Sequence, residues 1–397
     1  MEKNRLRRIE QIYKTLEEIV LANSGENEFE EIFKLTVQKV WNELEHTSLP
    51  FEMEDAVSQL NLISKKWPGV LSETYYRISS EQYKQCCNVI CEFNYVTNDF
   101  EGIDECFEFL ISREKKGAKG QFFTPRYLIN FCVEIVNPKE GESILDPCSG
   151  SGGFLYHAAK HGNINGDNLW GFDIDYTAVR ISRLLMFVGG ISKAHLFKTN
   201  SLIIKPADLL FTDTSTTIED FLRLEKKTDK FDVILTNPPF AGEIKEKAIL
   251  SDYVVASDRN KIERDVLFIE RCINLLKPRG RMAIILPDTV FGSVDNSSLR
   301  RWINTQCRII GVVGIPRNAF MPHTPVKTSV LFLEKRSNDR IVDEPIFFGI
   351  CEKVGKNSKG QIIYKDTNNH SWNNVDHDLN EIVDQFKSFS ESNSIGW

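Results

Sequence analysis

No stretch of the 397-residue sequence approaches the ~20 consecutive apolar residues that span a bilayer. The amino terminus, Met1-Glu2-Lys3-Asn4-Arg5, leads into an amphipathic pattern rather than a signal-type apolar block. A soluble, cytoplasmic chain without a membrane partner is expected. A disulfide framework is missing too: the nine cysteines are odd in number and irregularly spaced, which reads as reduced thiols. Cys86, Cys87 and Cys91 form the one cluster, but they contain no CxxC pair and have no histidine at ligand spacing. Buried helix cysteines are expected there, and no metal site. Internal repeats and low-complexity segments are absent, and 41% hydrophobic with 26% charged residues is ordinary globular composition, so fibrous and disordered classes are excluded. The length implies two or three domains.

Charge of one sign is scarce only in part of the chain. Residues 1–118 hold 14 Lys+Arg against 22 Asp+Glu, a net −8, so the remaining 279 residues hold 35 against 34, a net +1. The acidity belongs to the amino-terminal third, and an acidic total does not exclude a polyanionic partner. That third carries helical periodicity: Leu6, Ile9, Tyr13, Leu16 and Val20, then Phe29, Phe33, Val37, Trp41 and Leu44, with a turn at residues 24–27. Further helices are expected at about 52–65, 80–95 and 103–114, making an all-helical domain over residues 1–118 that ends in the linker 115–120. Beyond it, short β-branched runs at 143–146, 169–174, 231–236, 282–286, 309–313 and 328–333 alternate with helical patterns such as 152–160, 176–188 and 263–276. Such alternation predicts an α/β domain over 119–352, with a largely parallel sheet and helices on both faces. Residues 353–397 form a carboxyl-terminal extension. Its amphipathic helix, Val375, Leu379, Ile382, Val383, Phe386 and Phe389, either packs back on its own domain or docks a partner.

Three motifs carry chemistry. The first strand ends in Asp146-Pro147-Cys148-Ser149-Gly150-Ser151-Gly152-Gly153-Phe154, a glycine-rich turn that lets a ligand approach the backbone at a helix amino terminus; a tight turn with no ligand is the plain alternative. Asp173, at the end of the next strand, stands where doubly wound folds bind ribose hydroxyls, or where an acid merely caps a helix dipole. The turn lacks GxGxxG spacing, which tilts the ligand from NAD to S-adenosylmethionine. Most specific is the buried strand running into Asn237-Pro238-Pro239-Phe240. Two prolines stiffen the loop and remove two backbone donors, leaving carbonyls as acceptors. The Asn237 amide oxygen and the Pro238 carbonyl suit both N–H bonds of a flat, conjugated amine, with Phe240 stacking on its ring. A plain Pro-Pro turn is the bland alternative.

Together these motifs resemble the N6-adenine DNA methyltransferases, and most closely the modification (M) subunits of type I restriction-modification systems. The resemblance covers about residues 119–352 and extends to Gly120-Gln121-Phe122-Phe123-Thr124-Pro125-Arg126, the Glu263-Arg264 pair, Leu286-Pro287, and Lys327-Thr328-Ser329-Val330-Leu331-Phe332-Leu333. It implies a class I S-adenosylmethionine-dependent methyltransferase fold with a Rossmann-like, seven-stranded mixed sheet behind the helical domain. It implies S-adenosylmethionine bound by Gln121, Phe122, Phe123, Thr124, Pro125, Arg126, Asp146, Cys148, Ser149, Gly150, Gly152, Asp173, Asn200 and Ser201. In that assignment Phe122 and Thr124 line the cofactor's methionine and adenine side, and Asp146, Cys148, Ser149 and Gly150 surround its amino-acid moiety. Asp173 takes the ribose hydroxyls, while Asn200 and Ser201 lie near the cofactor adenine. Asn237, Pro238, Pro239 and Phe240 become catalytic.

The implied activity is site-specific methylation of adenine N6 in double-stranded DNA, on a base flipped from the stack. The implied partners are a specificity (S) subunit and a restriction subunit. No segment after residue 352 is long enough for target recognition, so base contacts are expected from another chain. The basic stretch 259–281, with 7 basic against 3 acidic residues, is a candidate phosphate contact or a solvated helix face. Rival functions are methylation of a ribosomal RNA base or a release-factor glutamine, and a catalytically silent DNA-binding scaffold.

Overall fold

The computed structural model describes residues 3–24, 28–96, 123–204, 216–257, 259–337, 344–367 and 371–397. The expected helix at 103–114, the linker 115–120 and turn residues 25–27 lie outside the described residues. The chain divides into two compact units, one of residues 1–117, 180–192 and 366–372, the other of residues 118–179, 193–365 and 373–397.

The first unit contains helices α1 (Lys3–Ser24), α2 (Glu28–Leu44), α3 (Met53–Lys66) and α4 (Ser80–Ile90). The periodic apolar positions do close a core, in which Tyr13, Leu16, Val20, Phe33, Val37, Leu60 and Ile63 are buried with Cys86 and Cys87 of α4. A reciprocal Ser79–Gln82 capping box starts α4. This helix stops at Ile90 although the apolar pattern continues to residue 95. Phe93 and Tyr95 pack edge-to-face at 5.0 Å instead, and Glu43 Oε2 accepts the Tyr95 and Val96 amides at 2.8 and 2.6 Å. Competing side-chain acceptors end a helix that periodicity alone would extend.

The second unit is built on helices α5 (Arg126–Val136), α6 (Gly153–Gly162), α7 (Tyr176–Val188, whose first turn lies here), α8 (Ile218–Leu224), α9 (Lys247–Leu250), α10 (Arg264–Leu275), α11 (Thr289–Gly292), α12 (Ser297–Gln306) and α13 (Leu379–Ser392). Its strands are β1 (Ile144–Asp146), β2 (Leu169–Asp173), β3 (His195–Lys198), β4 (Phe231–Thr236), β5 (Glu243–Ile244), β6 (Ile262–Glu263), β7 (Leu276–Pro287), β8 (Cys307–Ile315), β9 (Thr328–Lys335) and β10 (Phe347–Ile350). One sheet runs β10-β8-β9-β7-β4-β1-β2-β3, and a separate two-stranded piece pairs β5 with β6. All neighbours in the large sheet are parallel except β9, which is antiparallel to both β7 and β8. The sheet thus has eight strands where seven were expected; β10 adds a parallel edge to β8.

Alternation along β9 feeds two cores. Leu331 and Leu333 enter a cluster with Leu145, Phe172, Ile234, Leu267 and Ile303. Phe332 points the other way, meeting Phe131 of α5 at 5.8 Å and Phe386 of α13 at 6.3 Å. The carboxyl-terminal helix therefore packs back on its own unit, burying Leu379, Ile382, Val383 and Phe386. Because β1, β2 and β4 are adjacent and parallel, their carboxyl ends open on one side, where α/β sheets bind ligands.

Candidate active site

At the end of β1, Asp146 is buried, and its Oδ1 accepts two hydrogen bonds, from the Cys148 amide at 3.0 Å and the Thr236 hydroxyl at 2.7 Å. Burial pushes its carboxyl up to about 7, against the two hydrogen bonds that favour its charge, and nearby Asp173 adds to the rise. Burial likewise pushes the Cys148 thiol far up, with Asp146 reinforcing it, which disfavours its thiolate.

The glycine turn then folds over the ends of β1 and β2. Gly150 and Gly152 have φ of 49° and 88°, a left-handed backbone that side-chain-bearing residues rarely adopt. The Ser149 amide donates to the Phe172 carbonyl (2.9 Å) and the Gly150 amide to Asp173 Oδ2 (2.9 Å), while Asp173 Oδ1 accepts the Asp175 amide (2.9 Å). Asp173 thus closes the turn as well as facing the site. Beyond β3, the Asn200 amide oxygen accepts the Leu202 amide (3.1 Å), and the Ser201 hydroxyl donates to the Pro147 carbonyl (2.6 Å). These contacts, with the Gly152 amide donating to the Ser149 carbonyl (2.7 Å), join Asp146, Cys148, Ser149, Gly150, Gly152, Asp173 and Ser201 around the ends of β1 and β2, while the Asn200 side-chain bond stays within its own loop.

Asn237 follows β4 directly. Its Nδ2 donates to the Thr124 hydroxyl at 3.0 Å, while its Oδ1 is buried with no hydrogen-bond partner. Ser149 Oγ is in the same condition. Buried acceptors without donors are uncommon in folded proteins and point to a donor-bearing ligand. Pro238 is buried, Pro239 and Phe240 are part-exposed, and the Phe240 ring meets Phe320 edge-to-face at 5.2 Å. Thr124 is held because Pro125 caps α5, its carbonyl accepting from Leu128 and Ile129 at 2.9 and 3.0 Å. Phe123 is part-exposed ahead of that cap, and Arg126 opens α5 with Nη1 buried and unpartnered. Gln121 and Phe122 lie outside the described residues.

The N-6 DNA Methylase family matches residues 99–397. The chain belongs to that family. Among curated relatives, the methylase subunit of the Escherichia coli type I restriction enzyme EcoEI is 30% identical over 57% of this chain and 45% of its own length. The type II methyltransferase M.VspI of Vibrio sp. (strain 343) is 28% identical over 51% of this chain and 45% of its own. The chain therefore spans about half the length of these relatives. Among solved structures, a modification subunit of a putative type I restriction enzyme from Vibrio vulnificus YJ016 superposes with a TM-score of 0.61, at 18% identity, over 96% of this chain and 90% of its own. A putative class I S-adenosylmethionine-dependent methyltransferase from Listeria monocytogenes gives 0.59, at 17% identity, over 87% and 93%. The fold is that of the class I S-adenosylmethionine-dependent methyltransferases.

No motif marks the residues that lie underneath this candidate site. Arg271 of α10 is buried, donates Nε to the Ser201 carbonyl at 2.8 Å, and forks onto Glu219 at 2.6 and 2.8 Å. Tyr253 donates its hydroxyl to the Leu202 carbonyl at 2.8 Å. Phe320 and Thr236 were not foreseen either; no local pattern marks them. Of the basic residues in the stretch 259–281 only Arg271 is buried, and most of the others are met by acceptors within the chain at or near the surface. Arg259 reaches the Asp295 carbonyl, Lys261 pairs with Glu243, Arg271 with Glu219, Lys277 with Asp232 and Arg281 with Glu142.

Proposed function

We propose that this chain methylates the N6 amine of an adenine turned out of double-stranded DNA, with S-adenosylmethionine as donor, as the modification subunit of a type I-like restriction-modification system. The observation that carries this is the buried, unpartnered Asn237 Oδ1, fixed beside a rigid Pro-Pro carbonyl pair and an aromatic corner. An acceptor so placed selects a donor, and the exocyclic amine of adenine offers two N–H bonds to Asn237 Oδ1 and the Pro238 carbonyl. When bound, the cofactor supplies an electrophilic methyl group. The chain's own part is to hold the amine, orient its lone pair and exclude water, so no general base is nominated.

Asp146, Cys148, Ser149, Gly150, Gly152, Asp173, Asn200 and Ser201 would hold the cofactor, with Phe123, Thr124, Pro125 and Arg126 at its methionine end. Base-specific contacts come from a specificity subunit, and a restriction subunit completes the system. The EcoEI relative bears the name of a type I methylase subunit, which supports this over a ribosomal RNA base, a release-factor glutamine or a silent scaffold.

The test is incubation of the full chain with radiolabelled S-adenosylmethionine and duplex DNA, ribosomal RNA or release factor, with and without a specificity subunit. The expected result is N6-methyladenine in DNA, weak with the chain alone and strong with the subunit. Label on RNA or glutamine, or on nothing in any mixture, would overturn the proposal.

A further inference from the structure

Asp146 and Asn237 belong to different motifs 91 residues apart, yet one side chain touches both neighbourhoods. Thr236 is the last residue of β4, fully buried, and its peptide bond leads directly into Asn237. Parallel pairing of β1 with β4 sets Ile144 against Val233 and Leu145 against Ile234, which brings the Thr236 hydroxyl to Asp146 Oδ1 at 2.7 Å. The same oxygen accepts the Cys148 amide at 3.0 Å. Both internal bonds fall on Oδ1, which leaves Oδ2 as the atom for a ligand's cation. A valine would fill the strand position equally well and would suit a buried strand better; what the hydroxyl adds is its bond to Asp146 and its proximity to the Cys148 thiol.

We propose that Thr236 is a positioning residue that keeps the Asp146 carboxylate ionised and aimed for the α-ammonium group of the cofactor. The inference rests on the proposed binding of S-adenosylmethionine. A hydroxyl donating to a carboxylate favours the charged form and is stronger than a bond between neutral partners. The groups facing Asp146 otherwise oppose ionisation or leave it unaided. Asp173 on β2 repels the charge, and the thiols of Cys148 in the turn and Cys272 on α10 lie in its field without carrying a cation. Burial is the main opposition and pushes the carboxyl up to about 7, with Asp173 adding to it. Thr236 and the Cys148 amide are what hold it there rather than higher. The last β4 residue thereby links the carboxylate that would take the cofactor to the loop that would take the amine.

Calorimetric titration of the full chain with S-adenosylmethionine, and with its demethylated product, at pH values from 5.5 to 8.5 tests this on wild type, Thr236→Val and Thr236→Ser. Removing the hydroxyl raises the Asp146 titration, so the valine variant should bind about tenfold more weakly below pH 6, one pKa unit being a factor of ten. The deficit should close as the pH rises and the carboxyl ionises in both proteins. Titration of the cofactor's own ammonium affects both equally and cancels in the ratio. Serine should restore the wild-type profile. A purely structural loss would give a deficit independent of pH, and that outcome, or no deficit at all, overturns the proposal. Thermal melting of each variant confirms that folded protein is being compared. Wild type that binds neither ligand would refute the cofactor assignment itself, a result distinguishable from failure of the Thr236 role.

Discussion

Replacing Thr124 by valine removes one hydroxyl from the site and almost nothing else, because the two side chains have the same shape. In the structure that hydroxyl accepts the Asn237 Nδ2 bond at 3.0 Å, and the amide's other end, Oδ1, lies buried without a partner. The terminal torsion of an asparagine is broad and roughly two-fold, so nothing intrinsic to Asn237 decides whether oxygen or nitrogen faces the substrate amine. Nitrogen there would set donors against donors. A neutral hydrogen bond contributes about 0.5 to 1.5 kcal/mol, and with RT near 0.6 kcal/mol that is a preference of about two- to thirteenfold for the productive orientation. Thr124→Val should therefore lower kcat for adenine methylation by about that factor, while Thr124→Ser stays near wild type. Cofactor affinity should change less than kcat in both, since the hydroxyl's bond in the structure is to Asn237 and a methyl keeps the wall that Thr124 offers the cofactor. The assay is steady-state methyl transfer at saturating cofactor beside calorimetric cofactor binding. An unchanged kcat with weakened cofactor binding would refute this and return Thr124 to the purely cofactor-lining role first expected of it.

Asn237→Ala removes the acceptor itself, so methyl transfer should fall by orders of magnitude with cofactor affinity nearly unchanged; a parallel collapse of affinity in calorimetry would refute the separation of roles. Asp173→Asn replaces an acceptor-only group that already holds the Gly150 and Asp175 amides. It should weaken cofactor binding by at least about tenfold, and an unchanged dissociation constant would remove Asp173 from the ribose site. Glu219→Gln unbalances the buried Arg271 guanidinium under Ser201; cofactor KM should rise severalfold while kcat at saturation holds, and a melting point lowered without any change in KM would make the pair merely structural. The pH dependence of stability follows from Asp146, whose folded value of about 7 lies above its unfolded one. Between about pH 4 and 7 the unfolded chain binds fewer protons there than the native chain, so this group's contribution falls as the pH rises through that window, by an amount on the order of a few kcal/mol. Melting of the ligand-free chain should show that decline, reduced in Asp146→Asn; an identical slope in the variant would refute it.

Much of the sheet was legible because its central strands are buried on both faces and read as continuous apolar runs, as in β1, β2 and β4. The exceptions have local causes. His195–Lys198 is only four residues long with one buried side chain, too short for its pattern to mark a strand. β7 begins at Leu276, six residues before the expected start, because it runs through Lys277-Pro278-Arg279-Gly280-Arg281, a composition that signals a turn. β10 presents Phe348 and Ile350 to solvent at 75% and 77% exposure, as an edge strand can and a central one cannot. In the site, glycines, carboxylates and the Asn-Pro-Pro-Phe loop announce themselves by residue type at fixed spacing. Thr236, Arg271, Tyr253 and Phe320 do not, since what each does depends on partners brought close only by strand pairing and helix packing.

The fate of the basic residues between 259 and 281 sets an ionic-strength signature. Four of the seven are paired with carboxylates within the chain, and Arg259 meets only a neutral backbone carbonyl, which leaves Arg259, Arg264 and Arg279 as the cations of this stretch without an acidic partner among the described residues. Each phosphate neutralised contributes a slope of about −0.9 to the plot of log affinity against log salt. Three such contacts give a slope near −2.7, so raising salt from about 50 to 200 mM would weaken duplex binding through this face by about fortyfold. A much steeper dependence in an assembled complex would therefore be carried by cations elsewhere, on other surfaces of this chain or on the subunits that join it.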